Sequence, residues 1–210
     1  IAGRLFMSSL VGSIILATAC WWGADEANVT PDADSLLLFN GKDFQGWLAD
    51  PDTLAHWRVV SGTIQTDGKG PNLITELNYR DFELRLDWKA EKGSTGGIFL
   101  RGRPRIAIGD PDGTDPITGG LAQNVEHPSK PTARADKPAG EWNSFRIVLV
   151  GNIATVQLND QVVVEKVVME NDFDRSRKIP VVGPIEIEAK GPITFRNIYL
   201  KPINASATEN

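Results

Sequence analysis

Residues 81–89, Asp-Phe-Glu-Leu-Arg-Leu-Asp-Trp-Lys, alternate strictly between charged and apolar side chains. A period of two places the apolar side chains on one face of a β-strand and the charged ones on the other. One face therefore packs on a core, and the other meets water or a ligand, as in an antiparallel sheet with one open side. The open face of this strand carries Glu83, Arg85 and Asp87.

Short segments with the same period, separated by turn residues such as Ser61-Gly62 and Asp67-Gly68, recur through the chain, and no amphipathic helix is evident. They predict an all-β fold, a two-sheet antiparallel sandwich of jelly-roll type. The further predicted strands are Leu36–Phe39, Trp57–Val60, Thr63–Thr66, Gly96–Leu100, Arg105–Ile108, Phe145–Val150, Ala154–Leu158, Val162–Val168, Pro184–Glu188 and Ile193–Leu200.

The composition excludes several classes of protein. The 210 residues carry a net charge of −5, which argues against nucleic acid as a partner, since that needs clustered Lys and Arg. One cysteine rules out an internal disulfide framework and a cysteine-based zinc site, and two histidines leave little for a histidine-rich metal centre.

The N-terminal residues predict export. Arg4 is followed by the apolar run Leu5–Ala19, which ends in an A-x-A cleavage signal directly before Cys20. We expect residues 1–19 to be a signal peptide and Cys20 to be acylated, which would tether the protein to a membrane in the periplasm or cell envelope. The alternative, a hydrophobic first strand, lacks alternating polar residues. The predicted organisation continues with a tether at 20–35, one folded domain at 36–203 and a polar tail at 204–210.

Within the predicted domain, six stretches in the same order resemble the 3-keto-disaccharide hydrolase domain family. Together they extend over nearly the whole folded part of the chain. The stretches are Leu38–Trp47, Tyr79–Trp88, Gly96–Gly102, Lys137–Asn143, Gly183–Glu188 and Phe195–Tyr199.

The resemblance implies a concanavalin A-like jelly roll that processes glycosides already oxidised at C3, with carbohydrate or an oxidised glycoside as the partner. A C3 ketone acidifies the C2 proton, so a base can remove it, the C1 substituent can leave, and water can add. Such a site needs a base, a cation or donor for the enolate oxygen, and an acid for the leaving group. This chemistry needs no redox cofactor.

Strand alternation supplies the candidate residues. Glu186, Glu188 and Lys190 oppose Ile185 and Ile187, and Arg101 and Arg105 share the parity of Phe99. If these strands neighbour the one that carries Asp87, all would crowd one open face. The alternative is a solvated surface laced with ion pairs, each worth about 0–1 kcal/mol.

From this set, the hypothesis assigns catalytic roles to Glu188, Lys190 and Asp87. Either Glu188 or Lys190 is the base, and Asp87 orients an arginine. Arg101 and Arg105 contact the enolate or sugar hydroxyls. The remaining predicted substrate-binding residues are Glu83, Arg85, Glu186 and His127.

Two departures from the family pattern bear on catalysis. Arg105 and Ala107 stand where relatives carry amide or acid side chains, and Lys190 precedes Gly191 where relatives have His before Gly. Either Glu188 and Lys190 take over the reaction, or the domain is a non-catalytic carbohydrate-binding module. A third interpretation is an envelope adaptor that holds a partner protein on its charged face.

Three further features are weaker candidates. His127 lies in a loop, Asn124–Pro128, whereas His56 beside Trp57 fits packing better than chemistry. The acidic run 110–115 is a candidate loop for a divalent cation such as Ca²⁺, although such runs are usually turns. No other metal or cofactor is expected.

Overall fold

The protein is described here by a computed structural model, which covers residues 32–114 and 117–204. The predicted signal peptide, Cys20, most of the predicted tether and residues 205–210 lie outside the described residues. Inside them, no helix is long and apolar enough to cross a membrane.

The described residues form thirteen strands and one short helix. The strands are β1 (Leu36–Leu37), β2 (Trp47–Leu48), β3 (Trp57–Val60), β4 (Thr63–Thr66), β5 (Leu73–Thr75), β6 (Phe82–Ala90), β7 (Thr95–Leu100), β8 (Arg105–Ile108), β9 (Asn143–Val150), β10 (Ile153–Leu158), β11 (Gln161–Val168), β12 (Ile185–Lys190) and β13 (Ile193–Pro202), and the helix is α1 (Pro51–His56).

The strands form two antiparallel sheets, as the period of two predicted. The eight-stranded sheet has the order β11-β10-β9-β6-β13-β4-β3, with β1 also paired to β13. The five-stranded sheet has the order β2-β5-β12-β7-β8. Consecutive strands of the chain therefore often belong to different sheets. Strands with the same alternating pattern can thus lie on opposite sides of the sandwich.

A single apolar core lies between the two sheets. In β6 the apolar residues of the alternating stretch are buried and the charged residues between them are partly exposed, as predicted. Trp47, Trp57 and Trp88 are all at most 2% exposed, so these tryptophans belong to the core. Burying side chains of this size supplies much of the hydrophobic stabilisation of a small sandwich.

Three elements escaped prediction because they are short. Helix α1 begins at Pro51, whose fixed φ suits a first helical position, and the Asp50 carboxylate caps it by accepting from the Thr53 N–H at 2.8 Å. Strands β2 and β5 have only two and three residues, too few for a period to be recognised.

The long connection between β8 and β9 covers the edge of the five-stranded sheet. Its Gly119 N–H donates to the Ala107 carbonyl at 2.8 Å, and the Ala107 N–H donates to Gly120 at 2.9 Å. Gly119 has φ +86°, and a Cβ there would lie 2.8 Å from Val163 of the other sheet. Only glycine allows this close approach, so the connection seals the side of the sandwich next to β8.

Candidate functional site

The outer face of the five-stranded sheet carries four of the nine predicted site residues, namely Arg105, Glu186, Glu188 and Lys190. In the register, Glu186 of β12 lies opposite Phe99 of β7, and Phe99 lies opposite Arg105 of β8. The next row on the same face pairs Glu188 with Gly97, and the third pairs Lys190 with Thr95. We call this surface the five-strand outer face.

Glu188 is the centre of an ion-pair cluster on this face. Arg105 Nη1 donates a hydrogen bond to Glu188 Oε2, and Lys190 Nζ lies 3.5 Å from Glu188 Oε1. The side chains of Arg105 and Glu188 are 24% and 16% exposed, whereas that of Lys190 is 66% exposed. The cluster therefore combines a half-buried carboxylate and guanidinium with an accessible amine.

Arg105 reaches Glu188 across the strand that separates them. The middle strand, β7, has Gly97 at this position, and a Cβ there would lie 2.6 Å from Cγ and Cδ of Arg105. A glycine inside a strand often marks such a close approach. Because Ala107 faces the same row from β8, the row has little side-chain bulk apart from Glu188 and the stem of Arg105.

A second part of the five-strand outer face joins apolar surface to a second carboxylate. Glu186 Oε2 accepts from Asn72 Nδ2 at 3.3 Å, and the neighbouring Phe99 is partly exposed. Ile74 and Leu48 continue this row on β5 and β2. A partly exposed ring flanked by hydrogen-bonding groups suits a sugar, which has both apolar and hydroxyl-bearing surfaces.

The prediction that Glu83, Arg85 and Asp87 share this face is wrong. All three lie on β6, in the eight-stranded sheet, and they face outward on the opposite side of the sandwich. Alternation alone identifies the exposed side of a strand, but it does not say which sheet the strand joins.

The charged residues of β6 are paired with other residues of their own sheet. Arg146 Nη2 and Arg85 Nε donate to Glu83 at 2.6 and 2.7 Å. Burial raises the pKa of Glu83, but these two arginines outweigh it, and the net pKa is lowered. This arrangement matches the alternative interpretation of a surface laced with ion pairs.

Asp87 does orient an arginine, but a different one from those predicted. Its Oδ2 accepts from Arg196 Nε at 3.3 Å and from Asn197 Nδ2 at 2.7 Å, both on β13. The Arg196 guanidinium in turn lies 4.0 Å from the ring centroid of Trp142. Asp87 therefore belongs to a network on the eight-stranded sheet and does not contact Arg101 or Arg105.

Arg101 does not fit its predicted role in substrate binding, because its side chain is only 1% exposed. Its guanidinium donates to Asp81 Oδ1 at 2.6 Å and to the carbonyls of Gly151 and Pro180. The parity argument failed here because β7 ends at Leu100, and Arg101, with φ +58°, begins a turn. Burial lowers the pKa of this guanidinium, while the bond to Asp81 opposes that effect.

His127 contacts a glutamate in the loops instead of the Glu188 cluster. Its Nδ1 lies 3.0 Å from Glu170 Oε1, and its own backbone N–H donates to the same oxygen. Burial raises the pKa of Glu170, but hydrogen bonds from the N–H groups of Val125, His127 and Glu126 and from the His127 ring lower it to about 2. His56 pairs with Asp67 at 3.0 Å, away from the five-stranded sheet.

The acidic run 110–115 behaves as a turn where it is described. Asp110 Oδ1 accepts from the N–H groups of Gly93 and Asp112, and Lys92 Nζ lies 3.3 Å from Asp112. Asp115 lies outside the described residues. Across 32–114 and 117–204, no group of three or more His, Cys, Asp or Glu side chains is arranged to hold a metal ion.

An open pocket of about 550 Å³ lies at the edge of the eight-stranded sheet, at the start of β6 and the end of β13. It is lined by Asn78, Tyr79, Arg80, Asp81, Leu200, Pro202, Ile203 and Asn204. Asp81 already pairs with Arg101 there, so the pocket offers no free carboxylate.

Sequence reasoning missed Asn72 and Ile74, because β5 is too short to show alternation. It noted the parity of Phe99 without giving it a role. The glycine pair Gly96-Gly97 inside a predicted strand was a usable signal, since glycine in a strand interior commonly marks a neighbouring chain that comes close.

The two antiparallel sheets pack as a concanavalin A-like sandwich, whose five-strand outer face carries carboxylates, cations and a partly exposed aromatic ring. Comparison with known proteins identifies the family within this fold class. The model of the 3-keto-alpha-glucoside-1,2-lyase-like domain matches residues 34–201, so the chain belongs to that family.

A curated relative agrees with this family assignment. The chain is 26% identical over 179 residues to a 3-keto-disaccharide hydrolase from Bacteroides thetaiotaomicron, covering 67% of this chain and 61% of the relative. It therefore spans about three fifths of the length of that curated relative.

Solved structures support the fold. A candidate glycosyl hydrolase from Parabacteroides distasonis superposes with a TM-score of 0.67 at 22% identity, covering 81% of this chain and 94% of that one. An endo-β-1,3(4)-glucanase of family GH16 superposes with a TM-score of 0.55 at 12% identity, covering 80% of this chain and 91% of the glucanase chain. At these identities the likeness concerns the fold alone, a concanavalin A-like sandwich.

Proposed function

We propose that this protein cleaves 3-keto-glycosides, first by elimination and then by hydration, on the five-strand outer face. The observation that carries the proposal is the cluster in which Glu188 lies between Arg105 and Lys190. Membership of the 3-keto-alpha-glucoside-1,2-lyase-like family supports the substrate class.

Glu188 is the proposed base. Its carboxylate takes the C2 proton, and the electrons of the C2–H bond form an enolate whose charge rests on the C3 oxygen. The guanidinium of Arg105 has further N–H groups beyond the one directed at Glu188, and these stabilise the enolate oxygen. Arg105 therefore both holds the base in place and stabilises the charge that the base creates.

Lys190 is the proposed acid. Its side chain is 66% exposed and its Nζ lies 3.5 Å from Glu188 Oε1, so the amine is accessible beside the proposed base. As the enolate collapses, the C1–O bond breaks and the leaving oxygen takes a proton from Lys190. Water then adds at C1 of the unsaturated ketone, and the C2 proton returns to give the free 3-keto sugar.

A second function, carbohydrate binding without turnover, is favoured by a different observation. Both histidines of the chain are engaged elsewhere, His56 with Asp67 and His127 with Glu170. The five-strand outer face therefore has no imidazole to act as acid or base. Binding would then rest on Phe99, Asn72 and Glu186.

The test is a time course of sugar release by the purified protein. The substrates are 3-keto-trehalose and a 3-keto-β-glucoside, each with and without EDTA. We expect Glu188→Gln and Lys190→Ala each to lower kcat by at least about 100-fold, the range for losing a general acid or base. Lys201→Ala is the matched control, because Lys201 lies on β13 of the eight-stranded sheet and pairs with Asp32, away from Glu188.

Three outcomes are informative. Release that disappears in both site variants but persists in Lys201→Ala supports the enzyme. Release at the wild-type rate in both site variants would remove the roles of Glu188 and Lys190. Calorimetric binding of the same sugars without release would favour the binding module.

We also propose that the protein is exported and anchored through Cys20. The A-x-A signal at Ala17–Ala19 directly before this cysteine supports the proposal. In a bacterial host, wild-type protein should incorporate a labelled fatty acid and sediment with membranes. Cys20→Ser should do neither, and equal labelling of both forms would exclude this anchor.

A further inference from the structure

The most exposed large apolar side chain among the described residues is Phe173, at 84%. It lies in the loop between β11 and β12. Its backbone is held in place, because Asn171 Oδ1 accepts from the N–H groups of Phe173 and Asp174, both at 3.1 Å. The ring is therefore presented on a fixed turn.

Hydrogen bonds fasten this loop to the chain around Arg105. Arg175 Nη2 donates to the Gln123 carbonyl at 3.0 Å, and the side chain of Gln123 accepts from the Arg105 N–H, also at 3.0 Å. Arg175 Nη1 also donates to Glu170 at 2.6 Å, at the start of the same loop. The loop is thus joined to the first residue of β8, whose side chain holds Glu188.

An arginine–aspartate pair lies beside the ring. Arg103 Nη1 donates to Asp172 Oδ2 at 2.8 Å, and the Arg103 guanidinium lies 5.9 Å from the Phe173 ring centroid. The Asp172 side chain is only 18% exposed, and its Oδ1 is buried without a hydrogen-bond partner in the part of the chain that the structure describes. Asp172 therefore holds the more exposed Arg103 in place, and the arginine has N–H groups beyond the one already used.

The position relative to the Glu188 cluster suits a second ring of the substrate. Arg103 stands two residues before Arg105, in the turn that joins β7 to β8. A Cβ at the intervening turn residue Gly102 would lie 3.4 Å from Glu186 Oε1, so this turn borders the five-strand outer face. A disaccharide with one ring at Glu188 can place its other ring at this border.

We propose that Phe173, with the Arg103–Asp172 pair, forms a subsite for the leaving-group sugar ring. This inference rests on the proposed function. The Phe173 ring offers an apolar face for the C–H groups of a pyranose, while Arg103, held in place by Asp172, donates to its hydroxyls. The subsite predicts a preference for 3-keto-disaccharides over glycosides with a small alkyl aglycone.

The experiment compares two substrates that share the oxidised ring. Rates are measured for 3-keto-trehalose and for methyl 3-keto-α-glucoside with wild type and Phe173→Ala. We expect kcat/KM to fall about tenfold for the disaccharide and less than twofold for the methyl glycoside, since loss of one stacked ring is worth about a factor of ten. Leu77→Ala, which truncates another exposed apolar side chain (65% exposed), should change neither.

The outcomes separate this subsite from the proposed reaction. An equal change for both substrates, or no change in Phe173→Ala, would overturn the subsite while leaving the reaction intact. If wild type releases no sugar, the proposed reaction fails, and calorimetry with 3-keto-trehalose decides the subsite. Weaker binding by Phe173→Ala would then support it, whereas equal binding, or none by wild type, would overturn it.

Discussion

Arg105 on β8 donates to Glu188 on β12 across the whole width of β7, and its aliphatic stem lies over Gly97. The two residues are 83 positions apart in the chain, and neither strand is the hydrogen-bonded neighbour of the other. The contact exists because the intervening position has no side chain. A glycine in the sheet thus determines where the guanidinium of the proposed site lies.

Substituting Gly97 should disable the proposed site and also destabilise the domain. In Gly97→Ala the new Cβ would lie 2.6 Å from the Arg105 stem and 2.6 Å from the Ile106 carbonyl oxygen, so the Arg105 side chain must move away from Glu188 and the β8 backbone must shift. We expect kcat/KM to fall by about tenfold or more, because a charge-assisted hydrogen bond is lost at the base. Steady-state rates, together with a crystal structure of the variant, measure both effects.

Thr95→Ala is the control for that change, since Thr95 lies on the same strand opposite Lys190. It removes bulk from the same sheet without pushing on Arg105. If Gly97→Ala keeps both the wild-type rate and the Arg105–Glu188 bond, the glycine has no positioning role.

Arg101 should matter for stability and not for turnover. Arg101→Ala removes three hydrogen bonds and leaves the largely buried Asp81 carboxylate without its cationic partner. We expect the free energy of unfolding to fall by about 3 kcal/mol, as for other buried pairs that lose one partner. Urea denaturation followed by tryptophan fluorescence measures the change.

The comparison with Arg105→Ala makes this prediction specific. Arg105 is partly exposed, so its loss should cost about 0–1 kcal/mol of stability while turnover is largely lost. The assignment is wrong if Arg101→Ala unfolds like wild type, or if its folded fraction shows a raised KM.

The charged residues of β6 should be dispensable for the reaction. The double variant Glu83→Gln/Asp87→Asn weakens ion pairs on the eight-stranded sheet, which lies on the other side of the sandwich from Glu188. We expect kcat/KM within twofold of wild type and a loss of about 1 kcal/mol in stability. If the double variant loses as much turnover as Glu188→Gln, the candidate site lies instead on the outer face of the eight-stranded sheet.

Glu170 should make the stability of the domain depend on pH at the acid end. Its pKa is about 2 in the folded chain, where N–H groups and His127 hold the carboxylate, against about 4.3 in an unfolded chain. The ionised Glu170 carboxylate therefore stabilises the fold fully at pH values above its pKa in the unfolded chain. This stabilisation is lost as the pH falls through its pKa in the folded chain. We expect the free energy of unfolding to be about 1–2 kcal/mol higher in wild type than in Glu170→Gln at pH 7. This difference should fall to about half at pH 3.

Urea denaturation of both proteins at pH 7, 5, 4 and 3 measures that difference. Glu165→Gln, an exposed change on β11, is the matched control and should leave no pH-dependent difference. A wild-type advantage over Glu170→Gln that stays constant down to pH 3 would show that the carboxylate is not stabilised in this way.

The sequence predicted elements and faces well, because both depend on local order. The alternation in β6 identified its buried side, and the same reasoning placed Glu186, Glu188 and Lys190 on the outer side of β12. It failed for Arg101, where the strand had already ended and a positive φ redirected the side chain. It also missed β5, which brings Asn72 to Glu186, because three residues are too few to show a period.

The sequence by itself determined the class of fold, the buried faces and the family, since these follow from a period of two and from short stretches in a set order. Only the tertiary structure decided which charged faces coincide. β6 joined one sheet, while β7, β8 and β12 joined the other, and this separated Asp87 from Glu188. The physical reason is that a strand's own residues select its buried face, whereas its neighbours are selected by the packing of the whole chain.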